Sequence, residues 1–225
     1  MEGIKNISLY IVLASLLVMA FITIIYNNAE DNNILTGAQI INTKVNILSV
    51  QPSNCSFHLY PGWNLVSFYC LGMWNPRDEV LASINNSYDM IFSYDITDSS
   101  DPWKSYNPRL PNWTVQQLTH MSRLSGYWIN MSQDVDYTFN GSKKYTIIPL
   151  EPGWNLVGYP NMINKSINES MSTVSFNMLK TYDPLTETML VYVDGEINNT
   201  LYTTDTYKGY WINSTATQNW NLNSS

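Results

Sequence analysis

Charge is scarce in this chain. Lys and Arg total 11, Asp and Glu total 18, and charged residues make up 13% of the 225, against a usual ~25%. The net charge of −7 comes without a basic cluster that could neutralise a phosphate backbone, which argues against nucleic acid as a partner. The acidity is modest and serves solubility. Histidine and cysteine number two each. His58 and His120 are scattered, and two cysteines cannot complete a zinc site unaided. There is no Gly-x-Ser-x-Gly, no His-Glu-x-x-His and no phosphate loop. Glu79, Glu151, Glu169, Glu187 and Glu196 offer carboxylates, but no motif singles out a facing pair for glycoside hydrolysis. The expectation is a protein that is not an enzyme.

What is plentiful is aromatic. Tyr (16) and Trp (8) at low charge argue against disorder, which needs the opposite composition. The aromatics sit in landmarks used twice. Pro61-Gly62-Trp63-Asn64-Leu65-Val66 returns as Pro152-Gly153-Trp154-Asn155-Leu156-Val157, 91 positions later. Gly126-Tyr127-Trp128-Ile129-Asn130 returns as Gly209-Tyr210-Trp211-Ile212-Asn213, and Tyr94-Asp95 as Tyr182-Asp183. Three landmarks in one order define a tandem repeat.

Residues 7–26 carry no charge. Twenty residues at about 1.5 Å rise span about 30 Å, the thickness of a bilayer's hydrocarbon core. The run is longer than the ~7–15 residue apolar core of a cleaved secretory signal. It reads as a signal anchor, with a cleaved signal peptide and a pilin-like signal cut after Gly3 as alternatives. Lys5 precedes the run, whereas Glu30 and Asp31 follow it, so the positive-inside rule puts residues 1–6 in the cytoplasm and everything after residue 26 outside. Residues 27–44 form a polar stalk. Two repeats follow, at 45–142 and 143–225, and an alternating strand opens from Thr43.

Ten Asn-x-Ser/Thr sequons lie downstream of the anchor, at Asn54, Asn85, Asn112, Asn130, Asn140, Asn164, Asn168, Asn198, Asn213 and Asn223. That is about twice what the composition predicts and fits glycosylation of an exposed surface. Cys55 and Cys70 flank a strand, a Pro-Gly turn and a second strand. A hairpin there would set them opposite one another, within disulfide reach, and two buried thiols are the alternative. The second repeat has Thr146 and Asn161 at the corresponding positions.

Each repeat reads as mainly β with one short helix: antiparallel strands in a compact sheet or sandwich. Glycine after proline fits a type II turn. Asn75 is placed to cap a helix with Pro76 as its first residue. In the second repeat Ile163, Ile167, Met171 and Val174 recur at helical spacing. Strands are expected at Met90–Tyr94, Trp103–Tyr106, Gly126–Asn130 and Val135–Phe139, with counterparts in the second copy.

These landmarks resemble the repeat found in tandem in archaeal and some bacterial cell-surface and S-layer-associated proteins. The resemblance covers about residues 45–225. It rests on Trp63, Asn64, Tyr94, Asp95, Trp103, Tyr106, Gly126, Tyr127 and Trp128, with Met189 or Leu190 replacing the mid-repeat Trp in the second copy. It implies an architectural or adhesive module and brings no catalytic residues with it.

Two ligand sites are candidates. Asp95, Asp98 and Asp101 share one loop, and three carboxylates suit Ca²⁺, although a solvated acidic turn is the simpler account. Trp74 and Trp113 do not recur in the second copy and are expected to be exposed, so they are the candidates for stacking on sugar rings, with Trp103, Tyr106 and Tyr88 as neighbours. The recurring Trp63/Trp154 and Trp128/Trp211 are expected in the core. The overall expectation is a membrane-anchored surface protein meeting surface proteins or glycans outside the cell. A glycan-binding module and a filament subunit processed near Gly3 are the alternatives.

Overall fold

The computed structural model describes residues 52–111, 113–142 and 146–222. The expected cytoplasmic tail, anchor, stalk and strand from Thr43, together with Asn112 and Asn223, lie outside the described residues. Among those described, no helix is long and apolar enough to cross a membrane.

The first copy contains β1 (Pro52–Leu59), β2 (Gly62–Val66), β3 (Asn75–Pro76), α1 (Arg77–Val80), β4 (Tyr88–Tyr94), β5 (Trp103–Tyr106), β6 (His120–Met121), β7 (Tyr127–Met131) and β8 (Val135–Ser142). The second contains β9 (Ile147–Leu150), β10 (Gly153–Val157), β11 (Lys165–Ser166), α2 (Ile167–Ser170), β12 (Phe176–Asp183), β13 (Thr188–Val193), β14 (Thr203–Thr204), β15 (Tyr210–Ser214) and β16 (Gln218–Asn221). All pairing is antiparallel. Each copy builds a four-stranded sheet, ordered β2-β7-β4-β5 or β10-β15-β12-β13, and two two-stranded pairs, β1-β8 with β3-β6 or β9-β16 with β11-β14. The chain is mainly β, as its alternating strands require.

The Pro-Gly turn is a corner between sheets and not a hairpin. Gly62 and Gly153 hold φ of +86° and +99°, where a Cβ would be strained. The asparagine two residues on clamps each corner. Asn64 Oδ1 accepts from the Tyr60 N–H at 3.1 Å, and its Nδ2 donates to the Tyr60 carbonyl at 2.7 Å. Asn155 does the same with Glu151, at 3.0 and 2.7 Å. Both asparagines are buried, so no water can replace them. Asn155→Ala leaves backbone groups of the corner unpaired and is expected to cost about 1–3 kcal/mol, read from urea unfolding.

Because the corner changes sheets, β1 pairs with β8 and β2 with β7. The expected hairpin between β1 and β2 does not form. Cys55 and Cys70 are nonetheless bonded, with Cα atoms 5.8 Å apart. Cys70 lies beyond the end of β2, where the chain returns against β1. In the second copy the two matching positions bond to other groups: Thr146 accepts from Arg123 Nε at 2.8 Å, and Asn161 donates to the Leu222 carbonyl at 3.2 Å.

The helices are shorter than their patterns suggest. Asn75 does not cap α1; it accepts from the Gly72 N–H at 3.2 Å and donates to the Met121 carbonyl at 3.0 Å, tying β3 to β6. A single 3₁₀ turn, Ala82–Ile84, follows α1. In the second copy Ser166 is the cap, accepting from the Glu169 N–H at 3.3 Å. Ile163 lies outside α2 and is exposed, while Ile167, Met171 and Val174 are buried.

Each copy has its own core, on the face of its sheet covered by the two-stranded pairs and the helix. The first is built on Phe68, Ile91, Tyr127, Ile129 and Tyr137, the second on Tyr159, Leu179, Tyr210, Ile212 and Trp220. Tyr137 and Trp220 take matching places in β8 and β16 with different outcomes. Trp220 Nε1 donates to the Ser170 carbonyl at 2.7 Å. The Tyr137 hydroxyl is, among the described residues, the one buried side-chain polar atom without a partner, and burial pushes its pKa far up. Tyr137→Phe removes that orphan at nearly constant shape and is expected to raise stability by about 1 kcal/mol, seen as a higher urea midpoint.

The copies interlock by reciprocal exchange. Gly126 N–H donates to the Leu156 carbonyl at 3.3 Å, and its counterpart Gly209 donates to Leu65 at 3.1 Å. Gly158 N–H donates to Leu124 at 2.8 Å, and Ser67, at the matching position, donates to Tyr207 at 2.6 Å. Tyr207 packs against the first core, stacked on Phe57 at 4.8 Å. Leu124 packs against the second. The segment before each Gly-Tyr-Trp strand therefore completes the other copy, in the manner of a twofold dimer joined in one chain.

Candidate functional site

Alternation decides which aromatics reach the surface. In β7 the side chains of Tyr127, Ile129 and Met131 are buried, and Trp128 and Asn130 point to the other face. The same holds in β15 for Trp211 and Asn213. The recurring tryptophans are therefore not core residues, contrary to expectation: Trp63 is 37% exposed, and Trp128, Trp154 and Trp211 are half-buried. Recurrence in both copies suggests core, but the period of two in Tyr-Trp-Ile-Asn puts Tyr and Ile inside and Trp outside.

The two outer faces meet where the copies interlock. Trp128 lies 5.2 Å from Tyr182, and its counterpart Trp211 lies 5.3 Å from Tyr94. Trp103 stands 5.8 Å from Trp211, and Met189 takes the matching place opposite Trp128. Two shallow grooves result. One is walled by Trp63, Phe92, Trp103, Trp128, Tyr182 and Met189. The other is walled by Tyr94, Trp128, Trp154, Lys180, Met189 and Trp211. The Lys180 ammonium sits 4.8 Å over the Trp154 ring, a cation–π contact. Edge-on and tilted rings around an open groove suit the flat apolar face of a sugar or a partner's side chains.

Trp74 and Trp113 are exposed as expected, at 74% and 84%, but they do not act together. Trp74 stacks on His120 at 4.1 Å and lines a cleft of about 500 Å³ that also takes in Asp95, Lys104 and Asn155. Trp113 is not part of that wall. The wider platform does not form: Tyr88 is buried, its pKa pushed up to about 12 mainly by that burial, and the Tyr106 ring lies under the Arg77 guanidinium at 3.4 Å.

The acidic loop organises itself. Asp98 binds the Lys104 ammonium at 2.5 Å and accepts from the Ser100 hydroxyl at 2.7 Å. The Lys104 bond, then Ser100 and the Asp101 N–H, hold its carboxyl well below the usual range. Asp95 accepts from Thr97. Among the described residues, no three acidic, His or Cys side chains converge as a metal site needs, so Asp95, Asp98 and Asp101 read as a lysine-bound turn.

His58 on β1 bonds Asp136 at 2.8 Å and also Asp134, clasping β1 to β8. These carboxylates, Asp136 first, raise its pKa above 6.5. A raised folded-state value means that the clasp's contribution is fully present below pH 6.5 and is lost as pH rises through the folded value. A proton NMR titration of the imidazole is expected to give a midpoint above 6.5, and Asp136→Asn to lower it.

Of the sequon asparagines, Asn54, Asn85, Asn140, Asn164, Asn168 and Asn198 are exposed. Asn130 and Asn213 are half-buried on the aromatic face.

Compared with known proteins, the chain matches no family model, no curated sequence and no solved structure.

Proposed function

We propose that this chain is a membrane-anchored cell-surface protein of structural or adhesive role. It is held by residues 7–26 with its N-terminus in the cytoplasm and displays the interlocked pair of repeats outside. The observation that carries the reading is the Cys55–Cys70 disulfide, a bond that persists in oxidising surroundings outside the cytoplasm. Six sequon asparagines open to solvent support it. The aromatic seam is the surface through which the module holds carbohydrate or a surface protein. Neither nucleic acid nor a cofactor has a place in this reading.

Intact-mass analysis of the protein from its own cells tests it. The expected mass includes residues 1–26, a loss of two hydrogens for the disulfide, and added glycan. An unmodified chain with two free thiols would contradict it. A chain starting at Ile4 would replace the anchor with a filament subunit.

The Trp74–His120 stack at the mouth of the cleft favours a second reading, as a glycan-binding module. It requires that soluble oligosaccharide quench tryptophan emission and that Trp74→Ala abolish the quenching.

A further inference from the structure

The two half-buried sequons are a matched pair. Asn130 lies directly across from Trp63 in the β2–β7 ladder, and Asn213 lies directly across from Trp154 in the β10–β15 ladder. Directly opposed residues share a face, with Cβ atoms about 4.5–5.5 Å apart. The neighbouring corner asparagines, Asn64 and Asn155, spend their amides on backbone. Asn130 and Asn213 make no side-chain hydrogen bond among the described residues, although each stands half-buried opposite an indole. An amide left free at the same place in both copies, each inside a sequon and beside an outward-facing tryptophan, is arranged for modification. Turn clamping and core packing account for neither.

We infer that Asn130 and Asn213 carry N-linked glycans whose first sugar ring lies on Trp63 and Trp154, so that the carbohydrate held at these two edges of the aromatic seam is the chain's own. This rests on the exterior placement proposed above. In the attachment step the amide nitrogen attacks the anomeric carbon of a lipid-phosphate-activated oligosaccharide. The new C–N bond replaces the C–O bond to phosphate, which leaves with the bonding pair, and the amide proton passes to base. The apolar face of the attached sugar then lies against the indole, the arrangement that aromatic rings favour with flat apolar partners. Trp63, at 37% exposure, has more open ring than Trp154, which already carries Lys180, so the effect is larger at Asn130.

Glycopeptide mass spectrometry of the full chain from its own cells is expected to find sugar at both sites. Ser132→Ala abolishes the first sequon while keeping Asn130 and the Ser132 N–H that binds the Ser87 carbonyl. It is expected to lower the melting midpoint by about 2–4 °C and to make tryptophan emission more quenchable by acrylamide. Asn198→Gln, at an exposed sequon, is expected to change neither. In a Trp63→Leu background Ser132→Ala is expected to leave the midpoint unmoved. If that background does not fold, the quenching comparison, made with every tryptophan in place, decides alone. Sugar on other sequons with Asn130 and Asn213 bare would overturn the inference and leave the exterior reading standing. So would occupied sites whose loss alters neither quenching nor midpoint. A chain without sugar at any sequon would remove both.

Discussion

Gly209→Val is expected to destabilise the whole body by about 3 kcal/mol, a fall of roughly 6–12 °C in melting midpoint. A Cβ at Gly209 would lie 2.8 Å from the Val66 carbonyl oxygen, 3.0 Å from Leu65 Cδ1 and 3.3 Å from the Gly126 Cα. Two of these neighbours are backbone and cannot rotate away. The substitution therefore pushes apart the crossing at which each copy accepts a hydrogen bond from the other. Gly126→Val meets the mirror of this crowding, with Leu156 Cδ1 and the Val157 carbonyl oxygen both at 2.8 Å. Gly195→Ala is the control: nothing lies within 4 Å and only a φ of +80° opposes it, a cost of about 1–2 kcal/mol. Differential scanning calorimetry separates the cases, and a Gly209→Val protein melting with the wild type would show that the crossing carries little energy.

Reduction of Cys55–Cys70 is the second large effect. The bridge spans a sequence separation of 15, and opening a loop of that size is expected to cost about 3 kcal/mol. The second copy has no such bond, so its response reports on the interlock. Tyr207 belongs to the second copy but packs in the first core, and Leu124 does the reverse. Loosening the first core therefore removes contacts from both. Urea unfolding with and without reductant is expected to show one cooperative transition that moves as a unit. Two transitions, with only one shifted by reductant, would mean that the copies fold independently.

Much of this architecture is legible in the sequence, for physical reasons. Leu59 and Leu150 end strands, Trp103–Tyr106 is a strand, and Gly62 and Gly153 do adopt the positive φ that Pro-Gly turns imply. Each of these depends on local backbone preference. Pairing does not. A Pro-Gly turn between two strands looks like a hairpin, and only the burial of Asn64 and Asn155 reveals a corner that hands the chain to another sheet. The disulfide was legible although the ladder invoked for it was not, because fifteen residues around any sharp corner can bring two ends together. The exchange of Leu124 and Tyr207 left little trace, since the two residues differ in kind and their partners lie in the other copy.

The candidate site was half legible. Trp74 and Trp113 stood out by failing to recur, and both are exposed. The seam is not legible from recurrence, which points the repeated tryptophans to the core, whereas alternation with Tyr127, Ile129, Tyr210 and Ile212 points them outward. Trp220, outside the shared motifs, is the tryptophan that is fully buried.

Display outside the cell is the claim on which the function rests, and lysine labelling tests it most directly. Intact cells are treated with a membrane-impermeant amine reagent, and peptides are compared with those from lysed cells. Lys104, Lys180 and Lys208, none of them fully buried, are expected to be labelled on intact cells, and Lys5 only after lysis. Labelling of Lys5 on intact cells, or of the repeat lysines only after lysis, would contradict the account.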